Sequence, residues 1–293
     1  MTPALRVLLI TLAAGVGAGA TGPAFDSGRA YEDLRQLVAI GPRPSGSPGI
    51  QQTREYIKRQ LTAAGLTVDE QRFEAATPLG PVPMVNLRAT LPGAARGRGR
   101  LVIGGHYYTK LFREFAFVGA SDGGSSAAFL LELARALKGR PNALPIELLF
   151  LDGEEAVVEW RGTDHTYGSR YYVQEARRTN AVQDIRAFIL VDMIGDRELT
   201  IRREQNSTGW LTDAIWDAAH RLKRPEFLDA HTPIEDDHLE FLAAGIPSVD
   251  IIDLEYAAWH QPDDRLDRVA AGSLQAVGDV LIAALPAIEA RLK

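Results

Sequence analysis

A chain of 293 residues, 46% hydrophobic and 24% charged, is long enough to bury one large core, and its formal charge of -6 with no dense Lys/Arg run excludes nucleic acid as the expected partner. The absence of cysteine excludes disulfides, thiolate zinc sites, a cysteine nucleophile and lipid attachment through an N-terminal cysteine.

At the start of the chain, Arg6 precedes the apolar run Val7 to Ala14, then a Gly/Ala stretch ending in the small-x-small pattern Ala18-Gly19-Ala20. A basic residue, a short apolar core and a small-residue cleavage site predict a secretory signal over residues 1–20, cut after Ala20, and therefore export to the periplasm or beyond. The run is too short and glycine-rich for a span, which takes about 20 apolar residues. No later segment reads as transmembrane, so the mature chain, residues 21–293, is expected as a single domain, off the membrane and monomeric.

Helical periodicity covers Tyr31 to Val38 and Gln51 to Ala63, separated by a Gly/Pro-rich loop over residues 41–49. Val68 to Ala75 alternates as an edge strand does, and Met84 to Leu91 and Arg100 to Gly104 read as further strands. Ser125 to Leu137 is an amphipathic helix stopped by Gly139 and Pro141. Pro145 to Leu151 and Ala187 to Val191 are short apolar runs of the buried parallel-strand type. Gly209 to Leu222 is helical, Ser248 to Ile252 a strand, and Leu274 to Leu292 a closing helix. This alternation predicts the α/β class, with a mostly parallel central sheet covered by helices on both faces in three layers.

Ligands of such sheets bind beyond the carboxyl ends of the strands, and the chemically unusual residues fall there. RLVIGG leads to His106, FAFVGA to Asp122, PIELLFL to Asp152-Gly153-Glu154-Glu155, AFILV to Asp192, and SVDIIDL towards Trp259-His260. One carboxylate after a strand is ordinarily a helix cap or a solvated turn, and one histidine ordinarily a satisfied polar residue. Convergence from several strand ends is different, because unpaired buried carboxylates cost too much to cluster without a cation. Imidazole nitrogen with carboxylate oxygen is the donor set of catalytic zinc, which keeps an open position. Adjacent side chains such as Glu154 and Glu155 leave a strand in different directions, so one can hold metal while the other faces substrate as a general base; an exposed acidic turn is the competing explanation. Gly119-Ala120-Ser121-Asp122-Gly123 also fits the G-x-S-x-G elbow of serine hydrolases, a reading that leaves His106, Glu154 and Glu155 without a task.

The segments FVGASD (117–122), LLELARAL (130–137), FLDGEEA (150–156), Trp160, YGSR (167–170), DMIG (192–195), EDDH (235–238), Trp259-His260 and Asp263-Asp264 together resemble the glutaminyl-peptide cyclotransferases, in the same order and from about Tyr31 to the C-terminus. That family is similar to the secreted di-zinc aminopeptidases. The resemblance implies the zinc aminopeptidase-like fold and a zinc-dependent cyclisation of N-terminal glutamine on peptides or proteins to pyroglutamate, with release of ammonia. It implies a single zinc held by Asp122, Glu155 and His260, with Glu154 as general acid/base and Asp192 and Asp236 in a carboxylate network with it. It implies that Trp160 and Trp259 line the pocket for the peptide N-terminus, core packing being the other explanation for both.

Two residues depart from the family patterns. The aminopeptidases begin their metal set with His-x-Asp; here the order is His106-Tyr107-Tyr108. The carboxylate that orients the histidine is missing, which weakens a second zinc near His106 and Asp192. Asp250 stands where the animal cyclotransferases have a histidine near the pocket. Tyr108 and Asp250 are both expected to contact substrate. Two other functions fit the same fold: a zinc aminopeptidase with one or two metals, and a catalytically silent peptide-binding domain. The retained Glu154 and the complete ligand set argue against the second.

Overall fold

The structure, a computed structural model, describes residues 24–95, 97 and 99–292; the predicted signal over residues 1–20 lies outside them. Helices α1 (Ser27–Ile40) and α2 (Pro48–Ala63) open the described chain. The Asp26 side chain caps α1 by accepting from the Arg29 N–H, and Ser47 caps α2 by accepting from the Ile50 N–H just ahead of a proline in the first turn. Strands β1 (Val68–Thr77) and β2 (Gly80–Leu91) form a hairpin. There follow β3 (Arg100–His106), a π-type turn (Ala120–Ser125) running into α3 (Ser126–Ala136), β4 (Ile146–Leu151), α4 (Tyr167–Arg178) and β5 (Ile185–Asp192). The remainder is β6 (Ile201–Glu204), α5 (Gly209–Leu222), β7 (Phe227–Thr232), α6 (His238–Leu242), β8 (Ser248–Ile252) and α7 (Ala271–Leu292).

The main sheet has strand order β1-β2-β4-β3-β5-β8; β4, β3, β5 and β8 run parallel, and β1 and β2 form an antiparallel flank. Its central strands are buried on both faces, and neighbouring residues divide between two cores. Leu101, Ile103, Leu148, Phe150, Ile189 and Val191 join the core under α1, α2, α3, α5 and α7. Val102, Leu149, Leu151, Phe188 and Leu190 join the smaller core under α4 and α6. This is why the strands read as continuous apolar runs rather than alternating ones, and it confirms the three-layer expectation.

Three departures matter for the site. Residues 115–119, expected to behave as a strand, form a loop in which Phe117 stacks edge-on with Phe112 and His260. A separate two-stranded parallel sheet, β6 with β7, was not foreseen, nor were α4 and α6. Gly168 in α4 has no room for a side chain: a Cβ there would fall 2.3 Å from the Asp152 carbonyl oxygen, so the YGSR segment packs tightly onto the end of β4. Helix α7, not read as a span, is long and apolar enough to cross a membrane, with mean hydropathy 1.5 over its most apolar window. In the fold it packs against α1 and α5, and its buried Glu289 pairs with Arg140 at 2.7 Å.

Candidate active site

Strand β4 delivers Asp152, Gly153, Glu154 and Glu155 in succession. Asp152 is fully buried and held by the Ser45 hydroxyl (2.5 Å), the Val85 N–H (2.9 Å) and the Tyr107 hydroxyl (3.3 Å), which fixes where the next residues emerge. Glu155 turns towards the 253–265 loop. Its Oε1 lies 2.5 Å from His260 Nε2, and its Oε2 accepts from Lys110 Nζ at 3.0 Å. Burial alone would push the Glu155 carboxyl up, but the contact with His260 and the Lys110 charge outweigh it and hold the group at about 2. Glu154 takes the other direction. Burial, then the charges of Glu155 and Asp236, push its carboxyl well above the usual range.

Asp122 comes from the π-type turn, where its backbone leaves helical geometry (φ -75, ψ 106) and Gly123 adopts φ 74. A Cβ on Gly123 would sit 2.3 Å from the Tyr108 carbonyl oxygen and 2.9 Å from the His106 ring, so the turn can approach His106 only with glycine here. Asp122 Oδ1 is 3.2 Å from His106 Nε2, and Oδ2 is 3.5 Å from His260 Nε2. Oδ2 is buried yet makes no hydrogen bond among the described residues. Ligand atoms of Asp122, Glu155 and His260 all lie within 4.8 Å of one another. Two carboxylates, one imidazole and an orphaned buried oxygen suit a divalent cation, and three protein donors leave the fourth zinc position open. His260 itself has φ 56, an uncommon conformation for a non-glycine residue, of the sort that clusters at functional sites.

His106, at the end of β3, places Nε2 3.0 Å from Asp192 Oδ1 as well as 3.2 Å from Asp122 Oδ1, with no aligned hydrogen bond at either ring nitrogen. Burial works against its positive charge, but Asp192 and Asp122 prevail and hold its pKa well above the ordinary histidine value. Asp192 accepts from the Met193 N–H at 2.8 Å and from the Ser126 hydroxyl at 3.2 Å. Asp236 is buried near it, and burial followed by the charges of Asp192 and Asp237 drives its carboxyl well up.

These groups open onto a cavity of about 430 Å³ lined also by Lys110, Trp160, Met193, Ile234, Leu254 and Trp259. Trp259 is 43% exposed and stacks on His260 with ring centroids 4.5 Å apart. Trp160 donates from Nε1 to Glu235 at 3.0 Å and stacks on His165. Both tryptophans therefore face the cavity rather than a core. Wider clefts of about 600 and 780 Å³ elsewhere on the surface are lined by none of Asp122, Glu154, Glu155 and His260.

Two residues expected to contact substrate do not line this cavity. Tyr108 is buried and absent from the cavity wall: its hydroxyl oxygen accepts the Glu155 N–H, and its ring meets His106 edge-on at 5.5 Å. Asp250 is fully buried in β8, with His238 Nδ1 3.6 Å from its Oδ2, and does not reach the cavity. Lys110 was not singled out, although it follows His106 closely in sequence and is the one lysine or arginine in the cavity wall.

Residues 86–285 match the family model described as Peptidase family M28. The chain is 35% identical over 263 residues to a glutaminyl-peptide cyclotransferase-like protein of Bos taurus, covering 79% of this chain and 67% of that one. It is 33% identical over 279 residues to a glutaminyl-peptide cyclotransferase of Boiga irregularis, covering 82% and 75%. A crystal structure of an Acidobacteriales bacterium glutaminyl cyclase superposes with a TM-score of 0.88 at 36% identity, covering 95% of this chain and all of that one.

Proposed function

The chain belongs to peptidase family M28 and, within it, to the glutaminyl-peptide cyclotransferases, and from that premise we propose that it converts the N-terminal glutamine of peptides or proteins to pyroglutamate, releasing ammonia. The observation that carries this reading is the arrangement of Glu154 beside the Asp122–Glu155–His260 set at the floor of one cavity.

Asp122, Glu155 and His260 would hold a single zinc, which when bound polarises the side-chain carbonyl of the substrate as a Lewis acid. The substrate's α-nitrogen forms a bond to its own side-chain carboxamide carbon, and the bond from that carbon to the amide nitrogen breaks. Glu154 takes the proton that the α-amine loses and passes it to the departing nitrogen. A carboxyl pushed upward by burial and by Glu155 is suited to give a proton as well as take one. Burial beside Glu155 and Asp236 keeps Glu154 basic enough for the first transfer, and Asp192 and Asp236 would complete the carboxylate network around it. Nucleophile and electrophile belong to one residue, so holding the glutamine folded between Trp160 and Trp259 supplies much of the rate.

Residues 21–293 act in this reading as one exported domain, monomeric and free of its signal after cleavage at Ala20. A zinc aminopeptidase is the second reading. It is favoured by His106, whose Nε2 faces both Asp122 and Asp192 without an aligned hydrogen bond, a donor set that a second ion could use. Parallel incubation of the zinc-loaded protein with Gln-peptides and Leu-anilides decides between them: ammonia with a ring-closed peptide supports the cyclase, and free leucine the peptidase.

A further inference from the structure

The turn bearing Asp122 is not a regular helix end. With Asp122 and Gly123 outside helical geometry, the Ser121 and Asp122 amides and the Val118 carbonyl need partners from outside the turn, while the Gly119 carbonyl accepts the Gly124 N–H at 3.1 Å. Buried backbone N–H and C=O groups need partners, and two fully buried side chains supply them. Arg43 takes the carbonyls: Nη1 donates to Val118 at 2.5 Å, Nη2 to Gly119 at 2.8 Å and Nε to Tyr107 at 3.2 Å. Asp264 takes the amides: Oδ1 accepts from the Ser121 N–H at 2.8 Å and Oδ2 from the Asp122 N–H at 3.1 Å. Its main-chain carbonyl also accepts the Ala120 N–H at 3.4 Å, and Oδ1 accepts the Tyr256 hydroxyl at 2.7 Å.

Asp264 stands four positions after His260 in the same loop. It therefore joins, through one side chain, the turn that carries Asp122 and the loop that carries His260. Asp122 and His260 share no strand ladder, so their separation depends on cross-links of this kind. Arg43 hydrogen-bonds the same turn but no residue of the 253–265 loop.

We infer that Asp264 is a positioning residue for the metal centre, holding Asp122 and His260 at the spacing one zinc requires. The inference rests on the metal reading above and concerns affinity rather than chemistry, since Asp264 does not line the cavity. Asp264→Asn preserves shape but turns an amide NH2 towards a backbone N–H, so one of the two backbone hydrogen bonds is lost and replaced by facing donors. Outer-shell partners of this type are worth roughly 10–100-fold in metal affinity.

The test is a chelator-competition titration of zinc on the full chain, wild type against Asp264→Asn, with melting midpoints taken with and without zinc. The expected result is a zinc Kd raised by roughly 10–100-fold, a smaller rise in midpoint on adding zinc, and turnover restored at saturating zinc. A folded variant with the wild-type Kd, or one whose midpoints fall equally with and without zinc at unchanged Kd, overturns the inference. Wild-type protein that takes up no zinc overturns the metal reading and this inference together. Should Asp264→Asn not fold, Tyr256→Phe removes the hydroxyl that fixes Oδ1; its Kd must rise in the same direction by a smaller factor, and an unchanged Kd there overturns the inference equally.

Discussion

His260 Nε2 lies 2.5 Å from Glu155 Oε1 although the two residues are 105 positions apart, one leaving β4 and the other in the loop after β8. The contact, with Lys110 behind it, keeps Glu155 anionic down to about 2 despite burial. An anion and an imidazole so held, with the orphaned Asp122 Oδ2 facing them, are ready to exchange their mutual contact for a cation. We expect one zinc per chain in purified protein, removed by chelators with loss of activity. His260→Ala should stay folded and carry less than one equivalent where wild type is saturated. Metal analysis on both proteins checks this; full zinc occupancy in the variant refutes the ligand assignment.

Glu154→Gln should keep the zinc and the melting midpoint but lose about 10²–10⁴-fold in kcat, the usual loss of general acid/base help. The carboxamide has nearly the same shape and cannot carry the proton. The midpoint should not fall, since the change removes a carboxyl crowded by Glu155 and Asp236. Steady-state kinetics on Gln-peptides settles the matter, and near-normal turnover takes Glu154 out of the role.

Much of this fold was readable because its central strands are buried on both faces and therefore spell continuous apolar runs: Ile146–Leu151 and Ile185–Asp192 left little room for another assignment. The parts missed are those whose signal is tertiary. Helix α4 begins in the polar YGSR segment, and β6 and β7 are short with exposed or half-exposed positions. The apolar stretch over 115–119 owes its character to the aromatic cluster around His260, not to a sheet. At the site, strand ends pointed to the region where His and carboxylate residues gather, and the family resemblance implied the set Asp122, Glu155 and His260, whose ligand-type atoms lie within 4.8 Å of one another. Tyr108 and Asp250 lie off the cavity wall, which was not legible because spacing in sequence does not tell which way a side chain turns once the chain bends. Tyr108 turns inward to the Glu155 N–H, and Asp250 is buried in β8 with His238 Nδ1 3.6 Å from its Oδ2.

Trp259→Ala should raise KM more than it lowers kcat. The ring is half exposed in the cavity wall and stacks on His260, so it offers a flat surface to the substrate's glutamine. An aromatic contact of this kind is worth about 0.5–1.5 kcal/mol, which is roughly a 2–12-fold change in KM. A fall in kcat with KM unchanged would instead make the ring a support for His260.

The final prediction concerns pH. In the metal-free protein, burial followed by neighbouring carboxylates raises Asp122, Glu154, Asp236 and Asp250 above their ordinary values. Asp237 and Asp253 rise to about 7, burial again the largest cause. A carboxyl whose folded pKa exceeds its unfolded one binds its proton more tightly when folded. Its contribution to stability is complete below the unfolded value, 3.8 for an aspartate, and is lost as pH climbs through the folded one. His106, raised by Asp192 and Asp122 against burial, has the same sign. Half-buried His165, lowered by burial, works in the opposite direction on its own. Glu155 and Glu204, both held at about 2, matter only below the ordinary glutamate range. The melting midpoint of chelator-treated protein should therefore fall as pH goes from about 5 to about 8. Zinc reverses the trend: its ligands must be deprotonated, so binding tightens as pH rises and the stabilisation by zinc grows. Calorimetry at pH 5, 6.5 and 8, with chelator and with excess zinc, gives two series that diverge. A metal-free series that rises over this range would mean that these carboxylates are not crowded in the folded protein, and the proposed role of their proton in turnover would go with it.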